Sequence, residues 1–279
     1  MSSRDNYDVS VVILTRNSAR TLERCLRSVI REKPGEVIAV DGLSTDSTPG
    51  ILKRYDIRTL VDPRRSIGYS RLIGVQAAKG SYVMFVDSDV VLVPSCISTL
   101  RRELERHDWV GVHAKLISPE KTSYWQRAEG EKFRREYNNV GPTNRIDTIA
   151  ALFRREVLLR YPFDPNFEVS AEDVDLCRRL VRNKHRLGVS NAVAYHYYRQ
   201  GFLAFIKQRF RYGLGRARLG IKYGEARILV EPIFAIFSQI SRELWAEGVW
   251  LVPYWVVGGL VDFLGVVVGV SRMARARGH

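Results

Sequence analysis

The stretch that most restricts the fold is Tyr82–Pro94, YVMFVDSDVVLVP. Its first five residues, Tyr82 to Val86, are β-branched, aromatic or otherwise apolar and predict a strand buried on both faces. Two carboxylates follow, Asp87 and Asp89, with Ser88 between them. Carboxylates at the end of a buried strand are costly unless something neutralises them. A divalent cation bound to phosphates is a natural partner, because hard oxygen ligands suit Mg²⁺ or Mn²⁺. A strand-end turn with two solvated aspartates would read the same way, so the neighbouring segments decide.

Those segments alternate. Asp8–Leu14 predicts a buried strand, and Ala19–Arg31 an amphipathic helix with Ser18 as its cap. Glu36–Val40 predicts a second strand, ending in Asp41-Gly42, and Leu43–Tyr55 a helix after a polar start. Ile57–Val61 predicts a third strand, and Ser66–Lys79 a helix with Gly80 as C-cap. The order β-α-β-α-β-α-β argues for a parallel sheet with helices on both faces. Such sheets bind ligands beyond the carboxyl ends of their strands, where Asn17, Asp41 and Asp87 fall. Further on, the pattern predicts strands at Trp109–Ile117, Ile146–Phe153 and Leu187–His196, and helices at Pro94–His107 and Arg154–Tyr161. In 161–180, YPFDPNFEVSAEDVDLCRRL, Ser170 is spaced to cap a helix that opens with Glu172 and Asp173.

Charge divides the chain. Residues 1–177 hold 27 Lys/Arg against 25 Asp/Glu, and residues 178–279 hold 17 against 5. The basic third predicts an anionic partner: ligand phosphates, a membrane surface or nucleic acid. Cys25, Cys96 and Cys177 are odd in number and far apart, which fits a reducing compartment better than a disulfide framework. The first residues lack the basic-then-apolar pattern of a signal peptide, so the N-terminal domain is expected in the cytosol. Near the other end, Val249–Val270 has only Tyr254 and Asp262 as ionisable groups and is long enough to cross a bilayer. Asp262 would be expensive in lipid, and a single span would carry the basic tail SRMARARGH across. An interfacial hairpin, two spans that include Ile228–Ile240, or a dimer core would each remove that conflict. Pro232 predicts the start of a helix.

SVVILTRN, VIAVDGLSTDST, SIGYSRLIGVQAAKG and YVMFVDSD, in this order, resemble the nucleotide-sugar-dependent glycosyltransferases of family 2, which have the GT-A fold. The resemblance implies an α/β fold with a mixed, mostly parallel Rossmann-like sheet and helices on both faces, to which the basic and apolar C-terminal stretches add membrane-associating helices. It implies a catalytic domain over 1–200, with a nucleotide-sugar half at 1–95 and an acceptor half at 96–200. A basic amphipathic helix at 201–227 and a membrane-associated segment at 228–279 would follow. Thr15, Arg16, Asn17, Asp41, Arg71, Asp87 and Ser88 would contact the nucleotide sugar, although Leu72 stands where the family usually has Asn. Asp89 would bind Mn²⁺ or Mg²⁺, with His196 completing the site. The run from Phe163 to Leu176 is the second match, with Asp173 as general base supported by Glu172 and Asp175. Gln208-Arg209-Phe210-Arg211-Tyr212 is similar to the Gln-x-x-Arg-Trp element of processive members, which would put Gln208 and Arg211 at the acceptor or diphosphate.

The expected activity is therefore inverting, metal-dependent transfer from a nucleotide-diphosphate sugar to a hydroxyl of a glycan or lipid-linked glycan, at the cytoplasmic face of a membrane. Transfer to a polyprenyl phosphate is the alternative, since that acceptor needs no base. A sugar-phosphate nucleotidyltransferase would open with a Gly-rich loop where this chain has TRNSAR. A nucleic-acid or anionic-surface binder would leave Asp87, Asp89 and the Glu172–Asp175 cluster unexplained, and no nucleic-acid motif occurs.

Overall fold

The four apolar runs of the first 87 residues do form neighbouring parallel strands. The computed structural model describes residues 6–119, 123–198, 200–245 and 249–277. The last two residues of the basic tail lie outside them, as do the first five of the chain. In chain order the first elements are β1 (Val9–Thr15), α1 (Ala19–Arg31), β2 (Glu36–Asp41), α2 (Thr48–Arg54), β3 (Arg58–Val61), α3 (Ile67–Ala77) and β4 (Tyr82–Asp87). Then come β5 (Val90–Leu92), α4 (Cys96–Arg106), β6 (Gly111–Ile117), α5 (Tyr124–Tyr137), β7 (Gly141–Thr143), β8 (Ala150–Arg154), α6 (Arg155–Arg160), α7 (Glu172–Arg182) and β9 (Leu187–His196). Three long helices close the chain: α8 (Phe202–Tyr223), α9 (Ala226–Trp245) and α10 (Val252–Arg277).

The sheet order is β3-β2-β1-β4-β8-β6-β9-β5, with β7 on β9. β3, β2, β1 and β4 are mutually parallel. β8 runs antiparallel to β4 and β6, while β6 and β9 are parallel to each other. The strand alternation sorts the core onto two faces. Val9, Val11, Ile13, Met84 and Val86 face one cluster, with Leu22, Leu26 and Leu100 of α1 and α4. Val12, Val83 and Phe85 face the other, with Val75 of α3, Leu158 of α6 and Leu176 of α7. Burial on both faces is why these strands carry continuous apolar runs.

The described residues group into two compact units. The first comprises 6–119, 130–166 and 172–198 and holds the sheet; the second comprises 123–129, 167–171, 200–245 and 249–277. In the second unit Trp125, Phe205, Tyr254 and Trp255 make an aromatic core. Arg209 and Asp262 form a buried ion pair there at 2.6 Å, which answers the cost of a carboxylate in an apolar helix.

Several local expectations give way to tertiary contacts. The Ser18 hydroxyl does not cap α1; it accepts from the Arg16 N–H at 3.2 Å and receives the Ser88 hydroxyl at 2.8 Å. Helix α3 ends at Ala77, and Gly80 serves another purpose: a Cβ there would lie 2.4 Å from the Asp8 carbonyl oxygen. Ser170 does not cap α7; its hydroxyl donates to the Arg211 carbonyl at 2.8 Å. Ala171, at φ 71°, makes the turn into the helix instead. Pro232 lies inside α9 rather than at its start.

Candidate functional site

The carboxyl ends of β1, β2 and β4 adjoin, because β1 pairs with both of the others and Thr15 lies opposite Asp41. Asp41 is buried and holds the loop that follows it. Its Oδ1 accepts from the Thr15 hydroxyl at 2.9 Å and the Ser44 hydroxyl at 2.6 Å, and its Oδ2 accepts from the Ser44 N–H at 2.9 Å. Asn17 has φ 50°, a left-handed conformation that Asn tolerates, and its side-chain oxygen accepts from the Thr45 N–H at 2.8 Å. Arg16 is exposed beside it. These contacts make a polar rim of Thr15, Asn17, Asp41 and Ser44 at the strand ends.

At the end of β4 the charged groups converge. Arg71 on α3 is buried; its Nε donates to Glu172 Oε1 at 2.9 Å, and its Nη2 lies 3.5 Å from Asp87 Oδ1. One guanidinium thus joins the DSD turn to the start of α7. Its Nη1 has no hydrogen bond among the described residues. Burial pushes Asp87 up to about 6, against the pull of Arg71. Burial and the adjoining Asp173 push Glu172 up to about 7, again against Arg71. Asp173 is half-buried and is also raised by burial, with Arg145 opposing, and its Oδ1 accepts from the Val174 N–H at 2.7 Å. Asp175 is fully buried and accepts from Arg179 Nε at 2.9 Å, and Arg179 Nη2 donates to the Pro162 carbonyl.

On the other side of the DSD turn, His196 Nε2 lies 3.4 Å from Asp89 Oδ1, because β5 pairs Val90 with His196. Burial drives the His196 pKa down, but Asp89 and Asp87 outweigh it and the net shift is upward. An imidazole and a carboxylate at this separation suit a divalent cation such as Mn²⁺. The chain itself brings two donors: among the described residues no group of three or more His, Cys, Asp or Glu is assembled to hold a metal. Gln208 and Arg211 belong to the second unit. There Gln208 Nε2 donates to the Tyr212 hydroxyl, and Arg211 Nη2 donates to the Val169 carbonyl at 3.4 Å.

Two residues at this end of the sheet were not anticipated. Asp147 is buried just before β8, and its Oδ1 accepts from the Ile149 N–H at 3.0 Å. Ile149 in turn accepts from the Asp87 N–H at 2.9 Å, and the Asp147 charge raises the pKa of Asp87, Asp173 and His196. Arg145 lies over the Tyr137 ring, and its charge opposes the rise of the Asp173 pKa. The letters Arg-Ile-Asp-Thr carry no signal by themselves. Only the antiparallel pairing of β8 with β4 brings the start of one strand to the end of the other.

The sequence pattern of glycosyl transferase family 2 matches residues 10–161, more than half of the chain. The chain belongs to this family. Glycosyltransferase AglE of Haloferax volcanii is 23% identical over 247 residues, covering 82% of this chain and 78% of that one. Succinoglycan biosynthesis protein ExoO of Rhizobium meliloti is 34% identical over 110 residues, 37% of this chain and 31% of that one, so the match takes in under a third of that relative. Among solved structures, S. aureus TarS 1-349 in complex with UDP-GlcNAc superposes with a TM-score of 0.56 at 16% identity, covering 96% of this chain and 92% of that one. GalNAc-T7 with UDP, GalNAc and Mn²⁺ gives 0.57 at 15%, covering 74% of this chain and 47% of that one. At such identities the likeness concerns the GT-A fold alone.

Proposed function

We propose that this family 2 protein transfers a sugar from a nucleotide-diphosphate donor to an acceptor hydroxyl with inversion, and that Asp173 is the base. The observation that carries the reading is Arg71, which ties Asp87 to Glu172 across 85 residues of sequence and so brings the Phe85-Val86-Asp87 strand end beside Asp173. Support for the donor comes from the rim of Thr15, Asn17 and Asp41 and from neighbours of the same fold solved with UDP-GlcNAc or with UDP. The domain that does this chemistry is assigned to the sheet, within 1–200.

Asp173 is held at the first turn of α7, where the helix dipole favours its ionised form, while burial makes it more basic than a solvated aspartate. It takes the proton from the acceptor hydroxyl as that oxygen bonds to the anomeric carbon. The bond from that carbon to the diphosphate breaks in the same displacement, and the diphosphate leaves with the electron pair. Attack from the face opposite the leaving group inverts the configuration. Arg71 fixes Glu172 and so the register of α7, and Arg145 limits how far the Asp173 pKa rises. Asp89 and His196 would hold a Mn²⁺ or Mg²⁺ ion, which when bound supplies positive charge for the departing diphosphate. A lipid-linked glycan acceptor at the cytosolic face of a membrane fits the apolar α10 and the three free, buried cysteines.

The test is Asp173→Asn, which keeps the shape and removes the base. Donor binding, measured by calorimetry with a panel of nucleotide sugars, should be nearly unchanged, and turnover should fall about 10²–10⁴-fold. A product of retained configuration by NMR would refute the mechanism. Near-normal turnover would instead favour a polyprenyl phosphate, which arrives already deprotonated.

A further inference from the structure

The second unit presents apolar stripes outward. On α9, Val230, Phe234 and Phe237 recur at helical spacing, and the two phenylalanines are 67% and 69% exposed. On α10, Leu260, Leu264 and Val267 repeat the spacing, with Leu264 55% exposed. The two helices touch where Gly259 meets Ile236 and the Pro232 carbonyl. Exposed arginines border both stripes: Arg227 and Arg242 on α9, Arg272 and Arg275 on α10. Residues 201–279 hold 11 Lys/Arg against 5 Asp/Glu. Of those acids, Asp262 and Glu243 are buried, and Glu231 pairs with Arg216 at 2.6 Å.

By length and composition Val249–Arg275 could cross a bilayer. Its packing argues against a span. Helix α10 lies along α8: a Cβ at Gly213 would meet the Asp262 carbonyl oxygen and Gly265, and one at Gly269 would meet Ala217 and Leu214. Near the end, Arg218 reaches Met273 Sδ at 3.7 Å. Helix α8 carries Lys207, Arg209, Arg211, Arg216, Arg218 and Lys222. A spanning α10 would draw this row of cations toward the hydrocarbon, where every charge carries a desolvation cost. An interfacial position needs no such transfer, because it wets α8 and buries only the outer stripes.

We propose that α9 and α10 lie in the plane of an anionic membrane, with the Val230/Phe234/Phe237 and Leu260/Leu264/Val267 stripes inserted at the headgroup boundary and the bordering arginines on lipid phosphates. A second copy of the chain is the weaker occupant, since a self-complementary contact would bring the same arginines together. The proposal stands or falls independently of the sugar-transfer reading, because its test involves no catalysis.

The experiment is flotation of the full chain with vesicles of phosphatidylcholine alone or mixed with phosphatidylglycerol. The protein should float with the mixed vesicles and far less with the neutral ones. Phe234→Ser with Phe237→Ser should weaken binding at least about tenfold, the worth of two exposed aromatic anchors. Phe234→Leu with Phe237→Leu should restore most of it. Arg272→Gln with Arg275→Gln should remove much of the phosphatidylglycerol preference, a readout that remains if the serine variant fails to fold. Alkaline carbonate should extract the wild-type protein from membranes. Resistance to carbonate would overturn the proposal in favour of a span. Serine substitutions that split a dimer while leaving flotation unchanged would overturn it in favour of a second copy.

Discussion

Two buried ion pairs of similar chemistry, one in each unit, are built for different ends. Arg71–Glu172 joins α3 to α7 at 2.9 Å, and Arg209–Asp262 joins α8 to α10 at 2.6 Å. Both members of each pair are withdrawn from water. Arg71 also faces Asp87, lies near Asp173, and keeps one Nη1 without a hydrogen bond among the described residues. Arg209 is enclosed by its own helices, with its Nε toward the Gly258 carbonyl at 3.4 Å and its plane near Tyr254. Arg71 meets Asp87 at the carboxyl end of β4, where sheets of this kind bind their ligands. A cation closed in by helix backbone mainly fixes how the helices register. The difference teaches that burial of a pair does not by itself mark a site; its place at the ends of the strands does.

The largest expected effect comes from breaking either pair by half. Arg71→Ala or Arg209→Ala strands a buried carboxylate and should cost about 3–5 kcal/mol in urea unfolding of the affected unit. Replacing whole pairs should then separate the two. Arg209→Met with Asp262→Leu should unfold within about 1 kcal/mol of wild type, since a buried pair exchanged for hydrophobes of similar size is often neutral or better. Arg71→Met with Glu172→Leu should fold about as well, yet lose nucleotide-sugar binding by calorimetry. Equal loss of binding in both double variants would erase the contrast.

A pH series sharpens it further. Glu172 is pushed up to about 7, above the value near 4.5 that it has when unfolded, so the folded chain holds that proton more tightly. Its contribution is complete below about pH 4.5 and is lost as pH rises through about 7. Removing Arg71 takes away the charge that opposes the rise, so Arg71→Ala should destabilise more at pH 8 than at pH 5. An equal cost at both values would mean that Glu172 does not titrate in this range.

The smallest effect calibrates the others. Glu131 on α5 receives Arg134 at 2.6 Å and Arg135 at 2.7 Å, and hydrogen bonds from Arg134 hold its pKa down at about 2. Such a carboxylate stabilises above its unfolded value and loses that contribution as pH falls toward 2. Arg134 is largely exposed, so Glu131→Gln should cost under about 1 kcal/mol at pH 7 and nothing near pH 2.

The sequence by itself determined the first four strands and their parallel sense. Continuous apolar runs separated by amphipathic helices leave few other solutions, and Asp41 and Asp87 therefore had to fall at one edge of the sheet. It also marked Glu172 and Asp173 as acids opening a helix. Only the tertiary structure decided what these acids meet. Arg71 lies 101 residues from Glu172, and Asp147 enters because an antiparallel strand brings its start beside the end of β4. Ser18, Gly80 and Ser170 teach the same lesson on a smaller scale. Local spacing assigned each to a helix end, but a hydroxyl goes to its nearest unmet partner and a glycine goes where another backbone passes. The apolar tail shows the limit most plainly, since α10 is long enough to span a bilayer and yet packs along the cationic α8, a contact that its hydropathy does not reveal. Periodicity records which residues avoid water, whereas the identity of each partner depends on contacts across the fold that no local pattern encodes.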